Sequence, residues 1–290
     1  MSRILIIGAS SVIGLRLKQY LQRTATYEVK TAGRNGAADY YLDLEQFQMD
    51  NFNAVEFDIV VHCAASFAGN DADNMVKNEL NNSVGSIYAG RLAQKVHCRQ
   101  LIYLSSISVY EHKDNGYYGS YGLSKRHGEE NLQYLCSQNH IGFTSLRLAQ
   151  VYDDCGLQRK HQGLFYHIID CARQNKPVTL YGKKNPLRNF LFIEDVAAIM
   201  AGVIENNICG IFPCTYPQSY SLTDIIETAF SVYNNIPQIT FDEQKADIPT
   251  VYIPPMGEAE KLYRLINYEP RYDLTAGIRQ IKAAAGNGVR

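Results

Sequence analysis

The chain has 290 residues, 46% of them hydrophobic and 20% charged, a composition that excludes an intrinsically disordered chain and suffices for one large domain or two modest ones. Lys+Arg 28 against Asp+Glu 29 leaves a formal net charge of −1, which excludes a global attraction to nucleic acid or anionic lipid. The longest apolar runs, such as Ile4–Ile7 and Ile59–Val61, are far too short to span a bilayer.

The first half alternates short β-branched runs with helical periodicity. Arg3–Ile7 reads as a buried strand, Val12–Gln22 as a helix, Glu28–Ala32 and Asp58–His62 as strands, and Met75–His97 as one long helix. Gln100–Leu104 is strand again, Tyr121–Ser137 helix and Phe143–Leu148 strand. Strands that alternate with helices predict an α/β fold, a parallel sheet covered on both faces. The second half is less regular. Leu164–Gln174 reads as helix, Val178–Tyr181 as strand, Lys183–Arg188 as a polar loop, Asn189–Ile193 as strand and Asp195–Glu205 as helix. Leu222–Tyr233, Gly257–Ile266 and Leu274–Ala285 are further helices, punctuated by prolines, and Gly286–Arg290 is expected to fray.

The expected organisation is an α/β domain over 1–150, rejoined by 189–213, with a smaller lobe over most of 151–290 and a boundary near Val151–Gln162. The seven cysteines include no C-x-x-C pair, so reduced thiols, no metal site and a cytoplasmic location are expected. Met1-Ser2-Arg3 leads straight into the first strand, so no signal peptide is expected.

Chemistry enters at Gly8-Ala9-Ser10-Ser11-Val12-Ile13-Gly14, between the first strand and first helix. Such a turn aims free helix N–H groups at a phosphate, and small residues let the backbone approach a pyrophosphate. Taken alone, the spacing fits a phosphate cradle and an ordinary βα turn equally well. The second strand ends in Ala32-Gly33-Arg34, with no carboxylate for an adenosine ribose. A guanidinium there suits a 2′-phosphate, so NADP(H) is favoured over NAD(H), the alternative being a solvated surface arginine. Tyr121 and Lys125 lie one turn apart on a helix face. A phenol titrates near ~10, and a neighbouring ammonium is expected to lower that value toward neutrality. Ser106, at the carboxyl end of its strand, faces the ligand crevice of a parallel sheet.

These segments together resemble the extended short-chain dehydrogenase/reductase superfamily, in its NAD(P)-dependent sugar epimerase/dehydratase branch, over nearly the whole chain. Gly8-x-x-Ser11-x-x-Gly14 stands for G-x-x-G-x-x-G, Asp43-Leu44 for the adenine contact, and His62-Cys63-Ala64-Ala65 for H-x-A-A. Asn82-Ser83-Val84-Gly85-Ser86 stands for N-V-x-G-T, and Ser106 with Ile107, Ser108, Val109 and Tyr110 for the catalytic Ser/Thr segment. Tyr121-x-x-x-Lys125 is the catalytic pair, Leu146-Arg147-Leu148-Ala149-Gln150-Val151-Tyr152 resembles L-R-x-x-N-V-Y, and Arg188-Asn189-Phe190 through Asp195-Val196 resembles R-D-F-x-x-V-x-D-V. Tyr268-Glu269-Pro270 resembles the late G-x-x-P turn.

The resemblance implies a Rossmann-type doubly wound sheet with a C-terminal α/β lobe. Tyr121 is then the acid/base and Lys125 holds the nicotinamide ribose. Ser106 and Ser108 meet the sugar, and Gln150 and Arg188 face the sugar-nucleotide diphosphate. The cofactor residues it implies are Gly8, Ser10, Ser11, Val12, Ile13, Gly14, Arg34, Asp43, Leu44, Cys63, Ala64, Ala65, Asn82 and Lys125. It also implies a homodimer formed through the two long helices. Three departures bear on ligand affinity: Ser11 for glycine, Gln150 for asparagine with Asp153 for glycine, and Asn189 for aspartate.

The 4,6-dehydratases of this family carry Asp-Glu after the catalytic Thr. Ile107 and Ser108 stand there, and neither serves as a general acid or base. The fucose-forming epimerase-reductases place a Cys at the position of Ser108 and a His in the next lobe. Without the Cys, His167 is read as a packing or surface residue. What remains is NADPH-dependent reduction of a nucleotide-linked 4-keto-6-deoxy sugar, or C4 epimerisation with retained NAD. A non-catalytic cofactor-binding regulator is the reading of another class; Ser11 favours it, and intact Ser106, Tyr121 and Lys125 oppose it. Tyr117, Tyr118, Tyr181 and Phe192 are candidates for the sugar pocket or for core and surface.

Overall fold

The structure is a computed structural model and describes residues 1–23, 26–46 and 49–286. The frayed end expected at the C-terminus falls on 287–290, outside the described residues; Gly286 closes the last helix.

In chain order the elements are β1 Ser2–Ile7, α1 Val12–Gln22, β2 Tyr27–Gly33, β3 Tyr40–Tyr41, β4 Ile59–His62, α2 Ala72–Asn78, a π-helical turn Glu79–Val84, α3 Gly85–Lys95, β5 Gln100–Ser106, α4 Ser120–Gln138, β6 Gly142–Leu148 and β7 Gln150–Tyr152. They continue as α5 Gly163–Gln174, β8 Val178–Tyr181, β9 Leu187–Arg188, β10 Phe190–Phe192, α6 Ile193–Glu205, β11 Gly210–Cys214, β12 Tyr220–Ser221, α7 Leu222–Val232, β13 Ile239–Asp242, α8 Met256–Ile266 and α9 Leu274–Gly286.

Seven strands form one sheet in the order β11-β6-β5-β4-β1-β2-β3, and every pairing in it is parallel. The order reverses between β1 and β4, which opens a crevice at their carboxyl ends. β1 shows why both faces must be covered. Ile4 and Ile6 enter one hydrophobic cluster, Leu5 and Ile7 the other. The fold is therefore the expected Rossmann-type α/β sheet. Three small two-stranded pairs, β10-β7, β12-β9 and β13-β8, lie outside that sheet.

The structure differs from the expected elements at several places. The helix expected over 75–97 starts at Ala72, because Asp71 caps it by accepting from Asn74 N at 3.1 Å, and a π turn interrupts it at 79–84. β11 reads poorly as a strand because it contains Pro213. As an edge strand paired to β6 alone, it tolerates the missing N–H. β9 occupies the end of the segment expected to be loop, paired antiparallel to β12.

Two ionic clusters tie the layers together. Glu129 of α4 is 1% exposed; its carboxylate accepts from Ser145 Oγ at 2.6 Å and from Arg147 Nη2 at 2.5 Å and Nε at 3.2 Å. Arg16 of α1 forks to Asp154 at 2.7 Å and Glu194 at 2.5 Å, joining the helix after the glycine turn to the segment after β7 and to the start of α6.

Candidate active site

The crevice holds a cavity of about 450 Å³ at the carboxyl ends of the central strands. Its walls carry Gly8, Ser10, Ser11, Val12, Ile13, Arg34, Leu44, Cys63, Ala64, Ala65, Ser106, Ser108, Tyr121, Lys125 and Gln150. A second cavity of about 170 Å³ shares Tyr117, Gln150, His161 and Gln162 with the first and contains Arg188.

The glycine turn is built for close approach. Gly8 has φ +104, and a Cβ on it would meet Ala64 N at 2.8 Å. Ser11 takes an ordinary extended conformation and caps α1, its hydroxyl accepting from Gly14 N at 3.3 Å. The serine thus stands at the helix start without backbone strain. Gly14 lies behind the turn, where a Cβ on it would come within 3.2 Å of Gly8 O and of the Ile6 side chain.

At the far end of the cavity, Arg34 pairs with Glu45 at 3.4 Å, both side chains being largely exposed. Asp43 is buried beside Leu44 and accepts from Glu45 N at 2.9 Å, so it shapes the 43–45 turn while Leu44 lines the cavity.

Ser106 ends β5. Its hydroxyl donates to Ser108 Oγ at 3.1 Å and accepts from Ser108 N at 3.1 Å. Tyr121 and Lys125 project from the first turns of α4. The expected lowering of the phenol does not occur in this structure: burial pushes Tyr121 up to about 12, opposed by its hydrogen bond with Ser106. The physical reason is that desolvation acts on both partners. Burial pushes Lys125 down to about 7, with Cys63 and Glu129 pulling the other way. The ammonium lies 4.0 Å from the centroid of the Tyr103 ring, and among the described residues it has no ion-pair partner. Burial also drives His62 down to about 3 and Cys63 up to about 12, so both are uncharged at neutral pH.

A lysine held near 7 in the fold and near ~10.4 in the unfolded chain binds its proton more readily when unfolded. Protonated Lys125 therefore opposes folding below about pH 7, and that penalty fades as pH rises toward about 10. Lys125→Met is expected to stabilise the ligand-free protein at pH ~6 and to lose most of that advantage by pH ~10, read by urea denaturation. A difference that stays constant across this range would contradict it.

Gly14, Asp43, Asn82 and Arg188, all expected ligand residues, do not line the main cavity. Asn82, 1% exposed, accepts from Ser66 N at 2.7 Å and donates to Ser66 O at 2.8 Å and Ser124 Oγ at 3.0 Å, so it builds the wall without lining the cavity. Arg188 is 2% exposed and lines the smaller cavity, donating to Leu187 O at 2.9 Å and Pro249 O at 2.7 Å. It has no carboxylate partner among the described residues, and burial holds it below the usual arginine range. Gln150 donates to Gln162 Oε1 at 2.9 Å, while its own Oε1 is buried with no partner. The α5 N-terminus at Gly163 has no side-chain cap and borders the same cavity.

Asp153 accepts from Cys155 N, Leu157 N and Gln158 N and from Tyr166 OH, all within 3.1 Å, so it folds the 153–158 loop. Asn189 anchors the 216–219 turn, and Asp195 holds Tyr268 OH, Arg271 N and Tyr272 N. His167 is exposed, 3.6 Å from Cys171 Sγ. Of the four candidate aromatics, Tyr117 lines both cavities, Tyr118 is half-buried, Tyr181 is exposed and Phe192 is core. Phe67, Gln158, His161 and Gln162 line the cavity unforeseen. Phe67 follows the His62–Ala65 motif closely, which was a signal; nothing in the local pattern marks the others.

The turn with room only for a Cβ-free Gly8, the uncapped cation Lys125 and the unpartnered Ser105 hydroxyl in the wall all fit a dinucleotide.

Comparison with known proteins agrees with this geometry. The sequence model of the NAD dependent epimerase/dehydratase family matches residues 4–211. ADP-L-glycero-D-manno-heptose-6-epimerase of Brachyspira hyodysenteriae is 27% identical over 218 residues, which are 67% of this chain and 66% of the relative, just under two thirds of its length. The solved UDP-N-acetylglucosamine 4-epimerase of Bacillus cereus superposes with TM-score 0.81 at 16% identity, covering 99% of this chain and 97% of the other. The UDP-glucuronic acid 4-epimerase of Bacillus cereus, solved with UDP-glucuronic acid and NAD, gives TM-score 0.77 at 21% identity, covering 98% and 99%. At such identities the two structures establish the shared fold.

Proposed function

The chain belongs to the NAD dependent epimerase/dehydratase family, within the extended short-chain dehydrogenase/reductase superfamily, and on that premise we propose that it is an NADP(H)-dependent reductase of a nucleotide-linked 4-keto-6-deoxy sugar. The observation that carries this reading is the continuity of two cavities. One brings the glycine turn together with Ser106, Tyr121 and Lys125, and the other places buried, carboxylate-free Arg188 beside the open N-terminus of α5. A nucleotide diphosphate suits the second, since it pairs a desolvated guanidinium and takes free helix N–H groups.

A nicotinamide cofactor held by the glycine turn and Lys125 supplies the hydride. This chain's own residues manage the proton and the pose. A phenol pushed up to about 12 is fully protonated at neutral pH, the form that reduction of a ketone requires. Tyr121 gives its proton to the sugar O4 as that oxygen gains charge, and Ser106, already bonded to Ser108, orients the same oxygen. Gln150 Oε1, buried without a partner, accepts from a donor on the ligand.

The coenzyme preference rests on Arg34. Its exposed pair with Glu45 is worth no more than ~1 kcal/mol, which a charge-assisted contact to a 2′-phosphate outweighs. Titration calorimetry on nucleotide-free protein is expected to show tighter binding of NADPH than NADH, and Arg34→Ala is expected to weaken NADPH by about tenfold while sparing NADH. A second reading, C4 epimerisation with retained NAD, draws support from the epimerase relatives and from the Arg34–Glu45 pair itself. NAD that cannot be stripped, or a preference for NADH, would select it.

On this reading 1–150 with 189–213 is the cofactor-binding part and the remainder of 151–290 the substrate lobe, in a cytoplasmic protein. Among the described residues no helix is long and apolar enough to cross a membrane. Exposed Met75, Val76, Leu80 and Tyr134, on α2, the π turn and α4, support a homodimer packed through these helices.

A further inference from the structure

Phe67 is 58% exposed, yet its backbone is clamped on both sides. Ser66 N and O are bonded to Asn82, at 2.7 and 2.8 Å. Ala68 N and O are bonded to Asn78, at 3.0 and 3.4 Å. Both asparagines are fully buried, and each spends its remaining amide hydrogen on α4: Asn78 on Ser120 Oγ at 2.9 Å, Asn82 on Ser124 Oγ at 3.0 Å. Asn70 of the same loop accepts from Ser120 N at 2.9 Å. The loop is thereby fastened to the helix that carries Tyr121, and the Phe67 ring stands 4.6 Å from the Tyr121 ring and 5.6 Å from the His161 ring.

A phenylalanine left largely in water beside the proton donor adds little to the folded state, because most of its face is still wet. A bound ligand would complete its burial. Of the two carbons flanking C4 of a hexose, C3 carries a hydroxyl and C5 carries C6; an aromatic face complements the second. In the function proposed above, the cations that line the cavities serve other groups: Arg34 a 2′-phosphate, Lys125 the nicotinamide ribose and Arg188 the diphosphate. Burial and the neighbouring Lys160 hold His161 below the ordinary histidine range, which leaves it uncharged at neutral pH.

We propose that Phe67 and His161 select the substituent on C5 of the sugar, taking a methyl group, as in a 6-deoxyhexose, over a carboxylate, as in a uronate. This rests on the nucleotide-sugar reading of the site. A carboxylate pressed on the Phe67 ring would lose water without gaining a cation from the cavity wall, whereas a methyl group gains by burial.

The test is calorimetric binding to cofactor-loaded protein of three ligands that share one base: the bare nucleoside diphosphate, its 6-deoxyglucose conjugate and its glucuronate conjugate. The base is whichever of the uridine, thymidine, cytidine, guanosine and adenosine diphosphates binds tightest. The 6-deoxy conjugate is expected to bind about tenfold or more tighter than the glucuronate. Phe67→Ala should bring that ratio toward one, and Phe67→Arg should reverse it by supplying a cation. A purely structural role for Phe67 would weaken all three ligands alike and leave the ratio where it was, which would overturn the proposal. Equal or tighter glucuronate binding to the native protein would overturn it too. If none of the diphosphates binds, the nucleotide-sugar reading itself falls and takes this selection with it.

Discussion

Tyr121→Phe is expected to lower turnover by about 10²–10⁴-fold while leaving cofactor affinity within error. The ring stays, so its packing against Phe67 at 4.6 Å and the start of α4 are kept. Only the proton carrier is lost. Steady-state rates with a 4-keto nucleotide sugar give the first number, and coenzyme titration gives the second. Turnover equal to the native rate would remove Tyr121 from the mechanism. A matching loss of coenzyme affinity would point to a collapsed site.

Arg147→Met is expected to destabilise the protein by about 3–5 kcal/mol, the range for breaking a buried ion pair from one side. Glu129 is 1% exposed and would keep only Ser145 Oγ, while Arg147 would also vacate its place 4.8 Å from the Tyr110 ring. The double substitution Glu129→Met with Arg147→Met should recover most of that loss, because no charge is then left without a partner. Urea midpoints of the single and double variants measure both effects. A single variant within about 1 kcal/mol of the native chain would mean that water reaches Glu129 and screens it.

The two residues also show how far reading the chain could go. Arg147 stands in the Leu146–Tyr152 motif and Glu129 one turn beyond Lys125, but neither pattern says that they meet. Their contact depends on α4 crossing β6 at a particular height. The same holds for Arg16, whose carboxylate partners lie 138 and 178 residues away.

The sequence by itself determined the layered α/β architecture, the chain order of the site motifs and many of the residues gathered in the main cavity. These are local matters: strand and helix periodicities, a small-residue turn and a tyrosine one turn from a lysine are all written within a few residues. Only the tertiary structure decided what each polar side chain does. Asn82 turns from the cavity to clamp Ser66, Asp153 closes its own loop, and burial leaves Tyr121 holding its proton despite the neighbouring lysine. It also decided that Pro213 lies in an edge strand and that Phe67 and His161 share the mouth of the site. The physical reason is common to all of these: desolvation and hydrogen-bond partnership depend on which distant segments pack together, and no local pattern carries that distance.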